Sequence, residues 1–163
     1  MKKYKKYITD VPDFPKKGIT FKDIQPILSN PNIFRELIKD MFCSFDTSMD
    51  YWVGIDSRGF IFASALSYYS GKGVKLIRKK GKLPPPTISK SYELEYGSDT
   101  LEIQPGSGKV IIVDDVYATG GTMNTAEQLC INAGYNVVGK LVLVDLQFLH
   151  DPTDIKSIIK YEA

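Results

Sequence analysis

Lys109-Val-Ile-Ile-Val-Asp-Asp-Val-Tyr-Ala-Thr-Gly-Gly-Thr122 is the stretch that decides the fold. Its β-branched run, Val110–Val113, has the composition of a strand buried on both faces of a sheet. The strand is predicted to end at the acids Asp114–Asp115, before a small-residue loop, Ala118–Thr122, that lets a backbone approach a ligand closely. Apolar residues at helical spacing over 123–133 predict a helix after this loop.

This order of features combines free helix amides with paired acids. Helix amides and the positive end of the helix dipole favour a phosphate, whereas two neighbouring carboxylates repel one. The acids therefore face another group, either sugar hydroxyls or Mg²⁺ held through oxygen ligands. A phosphorylated ribose satisfies both requirements. The alternative, in which the acids only cap the next helix, fits an isolated acid pair better than this ordered series.

Two common phosphate motifs are absent from the sequence. A P-loop requires Lys and then Ser or Thr after its last glycine, and neither Gly120 nor Gly121 is followed in that way. The Gly106-Ser107-Gly108 sequence precedes the strand and lacks the third glycine of a dinucleotide fingerprint. With four apolar residues, two acids and a loop ending Thr-Gly-Gly-Thr, the stretch resembles the phosphoribosyl pyrophosphate motif of type I phosphoribosyltransferases.

The composition is that of an ordinary globular protein, and the length predicts one domain, residues 1–163. Net charge is only +2, which indicates neither a nucleic-acid nor a membrane partner, and no apolar segment is long enough to span a bilayer. Cys43 and Cys130 each lie in a helical apolar pattern, so we expect core packing, no disulfide and a cytoplasmic location. The sole histidine, His150, lies in a turn signal and is interpreted as a surface residue.

Predicted strands and helices alternate along most of the chain. Strands are expected at Tyr51–Ile55 and Val74–Arg78, with a helix between them that ends at Gly71. The strand at Lys109, its helix and a strand at Val137–Val144 repeat this unit, and Ile155–Tyr161 is an expected edge strand. This alternation of strands and helices predicts an α/β fold, a twisted parallel sheet flanked by helices.

Other segments do not follow the alternation of strands and helices. Residues 10–28 are predicted to be an irregular connector, followed by a helix from the N-cap Asn30 to about Asp46. Residues 82–104 predict an inserted β-hairpin with its turn at Gly97–Asp99, and insertions of this kind are often lids.

Ligands of open parallel sheets bind beyond the carboxyl ends of the strands. Three segments, Asp56–Gly59, Arg78–Gly81 and Asp114–Thr122, follow predicted strands and should meet at that edge. Together they supply glycine-rich backbone, two acids and several cations, which suits a ligand with a monophosphate and a diphosphate.

From about residue 10 onward the chain resembles the adenine phosphoribosyltransferase family. The motifs occur in that family's order, at Asp13–Pro15, Gly18–Ile24, Asp56–Phe60, Ile77–Pro84 and Ser91–Gly97. The resemblance implies the type I phosphoribosyltransferase fold with a hairpin lid. It also implies transfer of phosphoribose from phosphoribosyl pyrophosphate to adenine, giving AMP and pyrophosphate, with Mg²⁺ as cofactor and a homodimer as the assembly.

The resemblance further implies a role for each matching residue. The 5′-phosphate would be held by Ala118, Thr119, Gly120, Gly121 and Thr122, and the ribose hydroxyls by Asp114 and Asp115. Pyrophosphate would be bound by Lys79 and by the loop Asp56, Ser57, Arg58 and Gly59, and this loop would contain a non-proline cis peptide. Adenine would be bound by Thr20, Phe21 and Lys22. The catalytic set would be Glu95, Arg58, Lys79 and Tyr96.

Within this set, Glu95 would exchange a proton with adenine, Tyr96 would help to close the lid, and Lys79 would extend toward a neighbouring subunit's site. Mg²⁺ would bind through the substrate, with Asp114 and Asp115 as the available carboxylates. The chain departs from the family where Lys22 replaces a frequent Arg and where Pro85 replaces a frequent Gly, which should stiffen the base of the lid. Two alternatives stay open: transfer to hypoxanthine or xanthine, and a non-catalytic nucleotide sensor.

Overall fold

The first fifty residues form small elements beside the main sheet. The computed structural model describes residues 2–94 and 97–162. Its first elements are α1 Lys2–Lys5, β1 Thr9–Val11, β2 Phe21–Asp23, α2 Gln25–Leu28 and α3 Pro31–Phe42. β1 and β2 pair antiparallel as a separate two-stranded sheet. The irregular connector predicted over residues 10–28 is confirmed for residues 12–20 and wrong for β1, β2 and α2, because elements of three or four residues are too short to show a period in the sequence.

The helix predicted from Asn30 begins as expected and ends early. The Asn30 side chain accepts hydrogen bonds from the amides of Asn32 and Ile33, so it caps α3. The helix ends at Phe42 rather than near Asp46, because the Ser44 amide donates to the Met41 carbonyl and tightens the last turn.

Seven strands form the main sheet. In chain order the remaining elements are β3 Tyr51–Ile55, α4 Gly59–Ser70, β4 Gly73–Lys79, β5 Ile88–Leu94, β6 Gly97–Ile103, β7 Gly108–Tyr117, α5 Gly121–Asn132, β8 Tyr135–Leu146, a 3₁₀ turn Gln147–Leu149 and β9 Lys156–Tyr161. The spatial order is β5-β6-β4-β3-β7-β8-β9. β4, β3, β7, β8 and β9 run parallel, and the predicted edge strand at the C-terminus is confirmed.

The inserted hairpin, β5 and β6, extends the sheet beyond β4. β6 pairs antiparallel with both β4 and β5, so the sheet is mixed although most of its strands are parallel. Leu94 of β5 pairs with Gly97 of β6. The turn predicted at Gly97–Asp99 is wrong, because these residues already belong to β6 and face Leu94, Glu93 and Tyr92.

Helices cover both faces of the sheet. On one face α3 and α4 pack on the buried side chains of Trp52, Ile111 and Val113. On the other face α5 packs on alternate residues of the same strands, which include Val53 and Ile112. None of the helices in the described ranges has the length and hydropathy that crossing a bilayer requires.

Candidate active site

The open N-terminus of α5 forms the floor of the site. Gly120 precedes this helix with φ of 90°, a backbone conformation that favours glycine, and a side chain there would meet the Tyr117 hydroxyl. Within the described residues no side chain caps this end and no acid lies in the first turn. The loop over 118–122 lines a cavity of about 90 Å³ above these amides. The first amides of a helix lack intrahelical partners, so this cavity suits an anion.

The two acids lie inside β7 rather than beyond its end. β7 continues to Tyr117 because β8 pairs with it past the acids, which the sequence of β7 alone did not show. β3 pairs with β7 only as far as Val113, so the edge of β7 facing β3 is free at Asp114 and Asp115. The acids thereby face the loop that follows β3.

The Asp114 carboxyl group is strongly perturbed by its surroundings. Burial, together with the charge of Asp115, raises the pKa of Asp114 well above its usual value. Asp114 Oδ1 accepts a hydrogen bond from the Asp115 amide at 2.9 Å. Asp115 is 6% exposed, and its Oδ2 has no hydrogen-bond donor among the described residues. An Arg58 nitrogen, Nε, lies 2.7 Å from that oxygen, so the contact is an ion pair without a well-directed hydrogen bond.

The loop after β3 packs directly against the acids. It contains the expected non-proline cis peptide, between Asp56 and Ser57. Gly59, which begins α4, lies so close to β7 that a Cβ there would be 2.7 Å from the Val113 carbonyl oxygen. Asp114 Oδ1 would be 3.2 Å from the same Cβ. Glycine is therefore required where this loop and β7 meet.

Phe21 lies on the other side of Arg58. The Arg58 guanidinium carbon is 4.6 Å from the centroid of the Phe21 ring, and Phe14 packs edge-on against that ring at 5.2 Å. Thr20 is exposed beside it. Arg58 therefore joins three of the predicted segments: the loop after β3, the acids and the proposed adenine platform.

Lys22 points away from this centre. Its ammonium group lies 2.7 and 2.8 Å from the two carboxylate oxygens of Asp10 and 4.1 Å from the Tyr161 ring centroid. Only 9% of the Lys22 side chain is exposed. The Lys22 side chain thus links β2 to β1 and to β9. Only the backbone of Lys22 lies next to the Phe21 platform.

Three cations, two at the end of β4 and one in the loop after it, are paired with acids. Lys79 Nζ lies 3.0 Å from Asp99 Oδ2 on the hairpin, and this contact raises the pKa of Lys79. Arg78 Nε lies 3.2 Å from Asp56 Oδ2, and Lys82 Nζ lies 3.9 Å from the same oxygen. Lys79 therefore contacts the hairpin, whereas Arg78, from the expected segment Arg78–Gly81, and Lys82, which lies just beyond that segment, contact the loop after β3.

Two predicted catalytic residues, Glu95 and Tyr96, lie outside the described residues. In the part of the chain that is described, no group of three or more His, Cys, Asp or Glu side chains could hold a metal ion. The carboxylates of Asp114 and Asp115 are thus a pair, which suits a cation that shares its ligands with a bound phosphate.

The prediction that His150 is an ordinary surface residue is wrong. The 3₁₀ turn folds the chain back, so that the His150 ring packs edge-on against Tyr117 at 4.6 Å and is 8% exposed. His150 Nε2 lies 2.7 Å from Asp145 Oδ1. Because Tyr117 in turn contacts Gly120, His150 supports the anion loop from below. A lone histidine before a proline carries no sequence signal for such a contact.

Comparison with known proteins agrees with this geometry. Residues 23–158 match the phosphoribosyl transferase domain family. The adenine phosphoribosyltransferase of Bdellovibrio bacteriovorus is 48% identical over 162 residues, covering 96% of this chain and 98% of that protein. The crystal structure of adenine phosphoribosyltransferase from Thermoanaerobacter pseudethanolicus has a TM-score of 0.91 and 40% identity, covering 98% of this chain and 99% of that one.

A third similar protein was solved with ligands. It is the Saccharomyces cerevisiae adenine phosphoribosyltransferase in complex with D-2,5-dideoxy-2,5-imino-altritol 1,6-bisphosphate and adenine. Its TM-score is 0.87 at 35% identity, covering 97% of this chain and 96% of that one. The chain belongs to the adenine phosphoribosyltransferase family of phosphoribosyl transferase domain proteins.

Proposed function

We propose that this chain is a purine-salvage enzyme that transfers phosphoribose from phosphoribosyl pyrophosphate to adenine, forming AMP and pyrophosphate. The observation that carries the proposal is the position of Arg58. This residue contacts Asp115 at 2.7 Å and Phe21 at 4.6 Å, so an acid suited to ribose and a ring suited to a base lie on either side of it. The similar S. cerevisiae protein was solved with adenine and a bisphosphate bound.

The donor is held by the sheet edge in this proposal. The 5′-phosphate binds the amides at the N-terminus of α5, over the loop Ala118–Thr122. The ribose hydroxyls donate hydrogen bonds to Asp114 and Asp115, of which Asp115 Oδ2 has no donor in the described structure. The pyrophosphate group binds the loop Asp56–Gly59, where Arg58 and then Lys79 supply positive charge.

Adenine enters between Arg58 and Phe21, with Thr20 and Lys22 at the edge of the platform. A flat ring stacked on both faces needs about 7 Å between guanidinium and phenyl planes, since each contact takes about 3.5 Å. The present separation of 4.6 Å is too small. Arg58 must therefore move away from Phe21 when adenine binds, and we propose that pairing with the pyrophosphate draws it away.

The chemistry requires stabilisation of charge and one proton transfer. The ring nitrogen of adenine attacks the anomeric carbon as the bond to pyrophosphate breaks, so positive charge develops on the ribose and negative charge on the leaving group. Arg58 and Lys79 stabilise the leaving diphosphate. Glu95 exchanges the proton with adenine, and closure of the hairpin with Tyr96 removes water from that carboxylate and raises its pKa toward working pH.

Mg²⁺ fits this site as a substrate-bound cofactor. Its preferred ligands are phosphate oxygens, water and one or two carboxylates, and Asp114 and Asp115 are the carboxylates available at the sheet edge. When bound, the cation neutralises charge on the pyrophosphate of the donor.

We further propose a cytoplasmic homodimer. Its support is the family resemblance, together with an apolar face on α3 and α4 at which Phe42 packs on Tyr69 and Tyr68 is 94% exposed. Lys79 would then lie near the partner's site. The two free cysteines, Cys43 and Cys130, agree with a reducing compartment. Light scattering that finds only monomers at micromolar concentration would contradict the dimer.

Product detection tests the function directly. The chain is incubated with phosphoribosyl pyrophosphate, Mg²⁺ and either adenine or hypoxanthine, and the nucleotides are separated by chromatography. We expect AMP and pyrophosphate from adenine, and little product from hypoxanthine. A preference for hypoxanthine would assign a different base, and tight donor binding without product from either base would favour the nucleotide sensor.

The Glu95→Gln variant tests the proton transfer. It should lower turnover by about 100-fold, because general acid–base catalysis contributes roughly that much, while calorimetry shows unchanged affinity for phosphoribosyl pyrophosphate. Glu93→Gln is the matched control, since this glutamate is exposed on the same hairpin and should leave turnover unchanged. Full turnover by Glu95→Gln would assign the proton to another group.

A further inference from the structure

A buried glutamate on the hairpin holds the loop that follows β4. Glu102 Oε1 accepts hydrogen bonds from three consecutive amides, those of Gly81, Lys82 and Leu83, at 3.0, 3.1 and 3.0 Å. Its other oxygen lies 3.5 Å from the Thr87 hydroxyl. Only 4% of Glu102 is exposed. Burial of a carboxylate is costly, and here the three charge-assisted hydrogen bonds offset that cost.

The backbone is shaped for this contact. Gly81 has φ of +85°, which turns the chain so that its amide and the next two converge on one oxygen. The register of β4 and β6 sets Glu102 opposite Arg78, just before the loop. Glu102 therefore fixes the conformation of residues 79–83, here called the basic loop, from the neighbouring strand.

The basic loop borders the proposed pyrophosphate site. Lys82 Nζ lies 3.9 Å from Asp56 Oδ2, and Nε of Arg78, the residue of β4 just before the loop, lies 3.2 Å from the same atom. Lys79 pairs with Asp99 of the hairpin. Lys82 and Arg78 thus face the loop after β3, and Lys79 faces the hairpin, on either side of the turn at Gly81.

We propose that Glu102 is a positioning residue for pyrophosphate, which holds the basic loop so that its cations meet the diphosphate of the substrate. Glu102 acts through the backbone of Gly81–Leu83 and does not contact the substrate itself. The inference rests on the proposed function for the identity of the ligand, and on the hydrogen bonds for the role of Glu102.

The first test compares Glu102→Gln with the exposed control Glu93→Gln. Glutamine keeps the shape of the side chain but is a neutral, weaker acceptor. We expect hydrogen–deuterium exchange at residues 81–83 to become about tenfold faster in Glu102→Gln, as for a lost charge-assisted hydrogen bond. Calorimetry with Mg²⁺ and pyrophosphate should show about tenfold weaker binding, while the KM for adenine changes by less than about twofold. Glu93→Gln should match the wild type.

A second variant disturbs the same contact without touching the buried carboxylate. Gly81→Ala opposes the positive φ, and its methyl group meets no atom within 4 Å. It should weaken pyrophosphate binding by about threefold and speed amide exchange at the same residues. If Glu102→Gln does not fold, Gly81→Ala tests whether the conformation of the basic loop determines pyrophosphate binding.

Unchanged pyrophosphate affinity, in a folded Glu102→Gln or Gly81→Ala with faster exchange of the loop amides, would overturn the positioning role. An equal loss of adenine and pyrophosphate binding would also overturn it, because it would show general structural damage. Failure of the proposed function would give a different result. The wild type would bind pyrophosphate but form no AMP from adenine, and Glu102→Gln would still weaken pyrophosphate binding.

Discussion

The phosphate half and the adenine half of the candidate site differ in what holds them. The phosphate half is backbone in the middle of the main sheet, where β7 pairs with β3 and β8 and leads into α5. The adenine half presents Phe21 from a three-residue strand outside that sheet. Side chains hold this second half: Phe14 packs on Phe21, and Lys22 reaches Asp10 and Tyr161.

This difference predicts how each half responds to change. The phosphate half is supported by completely buried neighbours, such as Ile112 and Val113. Such a close-packed core cannot shift to accommodate even a small displacement of an atom. The adenine half has Phe14 half exposed and few backbone pairs. We therefore expect substitutions in the phosphate half to affect turnover strongly and those in the adenine half to affect mainly the KM for adenine.

Gly59→Ala should have the largest effect. Its methyl group would lie 2.7 Å from the Val113 carbonyl oxygen, so the loop after β3 must move away from β7. Displacement of catalytic groups by about 1 Å costs on the order of 100-fold, and we expect that loss in kcat/KM.

The control is Gly71→Ala at the opposite end of α4. Gly71 has φ of 68° and open space around it, so alanine should lower the free energy of unfolding by about 1 kcal/mol without changing kcat/KM. Steady-state kinetics and thermal unfolding separate the two variants. If Gly59→Ala retained full activity, the phosphate half would be as adaptable as the adenine half.

Phe21→Leu should have an intermediate effect confined to the base. Stacking of a base on an aromatic ring is worth about 1–3 kcal/mol, so the KM for adenine should rise about tenfold. The KM for phosphoribosyl pyrophosphate should change much less, because the ring contacts given for Phe21 in the described structure are with Phe14 and Arg58. An equal rise in both KM values would show that the two halves are one unit.

Lys22→Met should have a smaller effect in the same half. Methionine keeps the buried stem but loses the pair with Asp10 and the cation on the Tyr161 ring. A cation–π contact is worth about 0.5–2 kcal/mol depending on its burial, and part of this loss should reach the platform, so we expect the KM for adenine to rise about threefold. Lys17→Met, an exposed lysine of the same segment, is the control and should be neutral. A large fall in turnover would place Lys22 in the chemistry instead.

The smallest effect concerns pH and His150. The pKa of His150 is raised, first by the Asp151 carbonyl that accepts from Nδ1 and also by Asp145. A raised folded pKa means that protonated His150 stabilises the protein fully below its ordinary value of 6.5, and that this is lost as pH rises through the folded pKa. Relative to His150→Gln, the wild type should therefore lose about 2 °C of Tm between about pH 6 and about pH 8.

If Tm changed equally with pH in the wild type and in His150→Gln, the charge of His150 would not support the phosphate half. Phe21→Leu, in the adenine half, should keep the pH dependence of Tm that the wild type shows, because it leaves the contacts of His150 with Asp145 and Tyr117 in place.

Local patterns were enough to predict the phosphate half. The strand Tyr51–Ile55, the Asn30 cap and the helix after Gly120 appear where composition and spacing placed them. These elements are specified by neighbours in the sequence, and the loop over 118–122 follows from them. The length of β7 could not be predicted, because β8 extends it past the acids.

Long-range contacts explain what the sequence did not reveal. Nothing near Lys22 indicates Asp10 and Tyr161 as its partners, and nothing near His150 indicates Tyr117. Glu102 looks like an ordinary strand residue until its three amide partners are known. In each case a side chain is defined by a partner more than ten residues away, and neither periodicity nor propensity records such a pair.

In the proposed site, the double contact of Arg58 would link the two substrates thermodynamically. A donor whose ribose occupied Asp115 would displace the guanidinium from that acid, and the same displacement would open the face of Phe21. The substrate that binds first would therefore lose the free energy needed to move Arg58. The second substrate would bind to a site from which Arg58 has already moved, so its binding would be stronger. By reciprocity, adenine must strengthen donor binding by the same factor as the donor strengthens adenine binding.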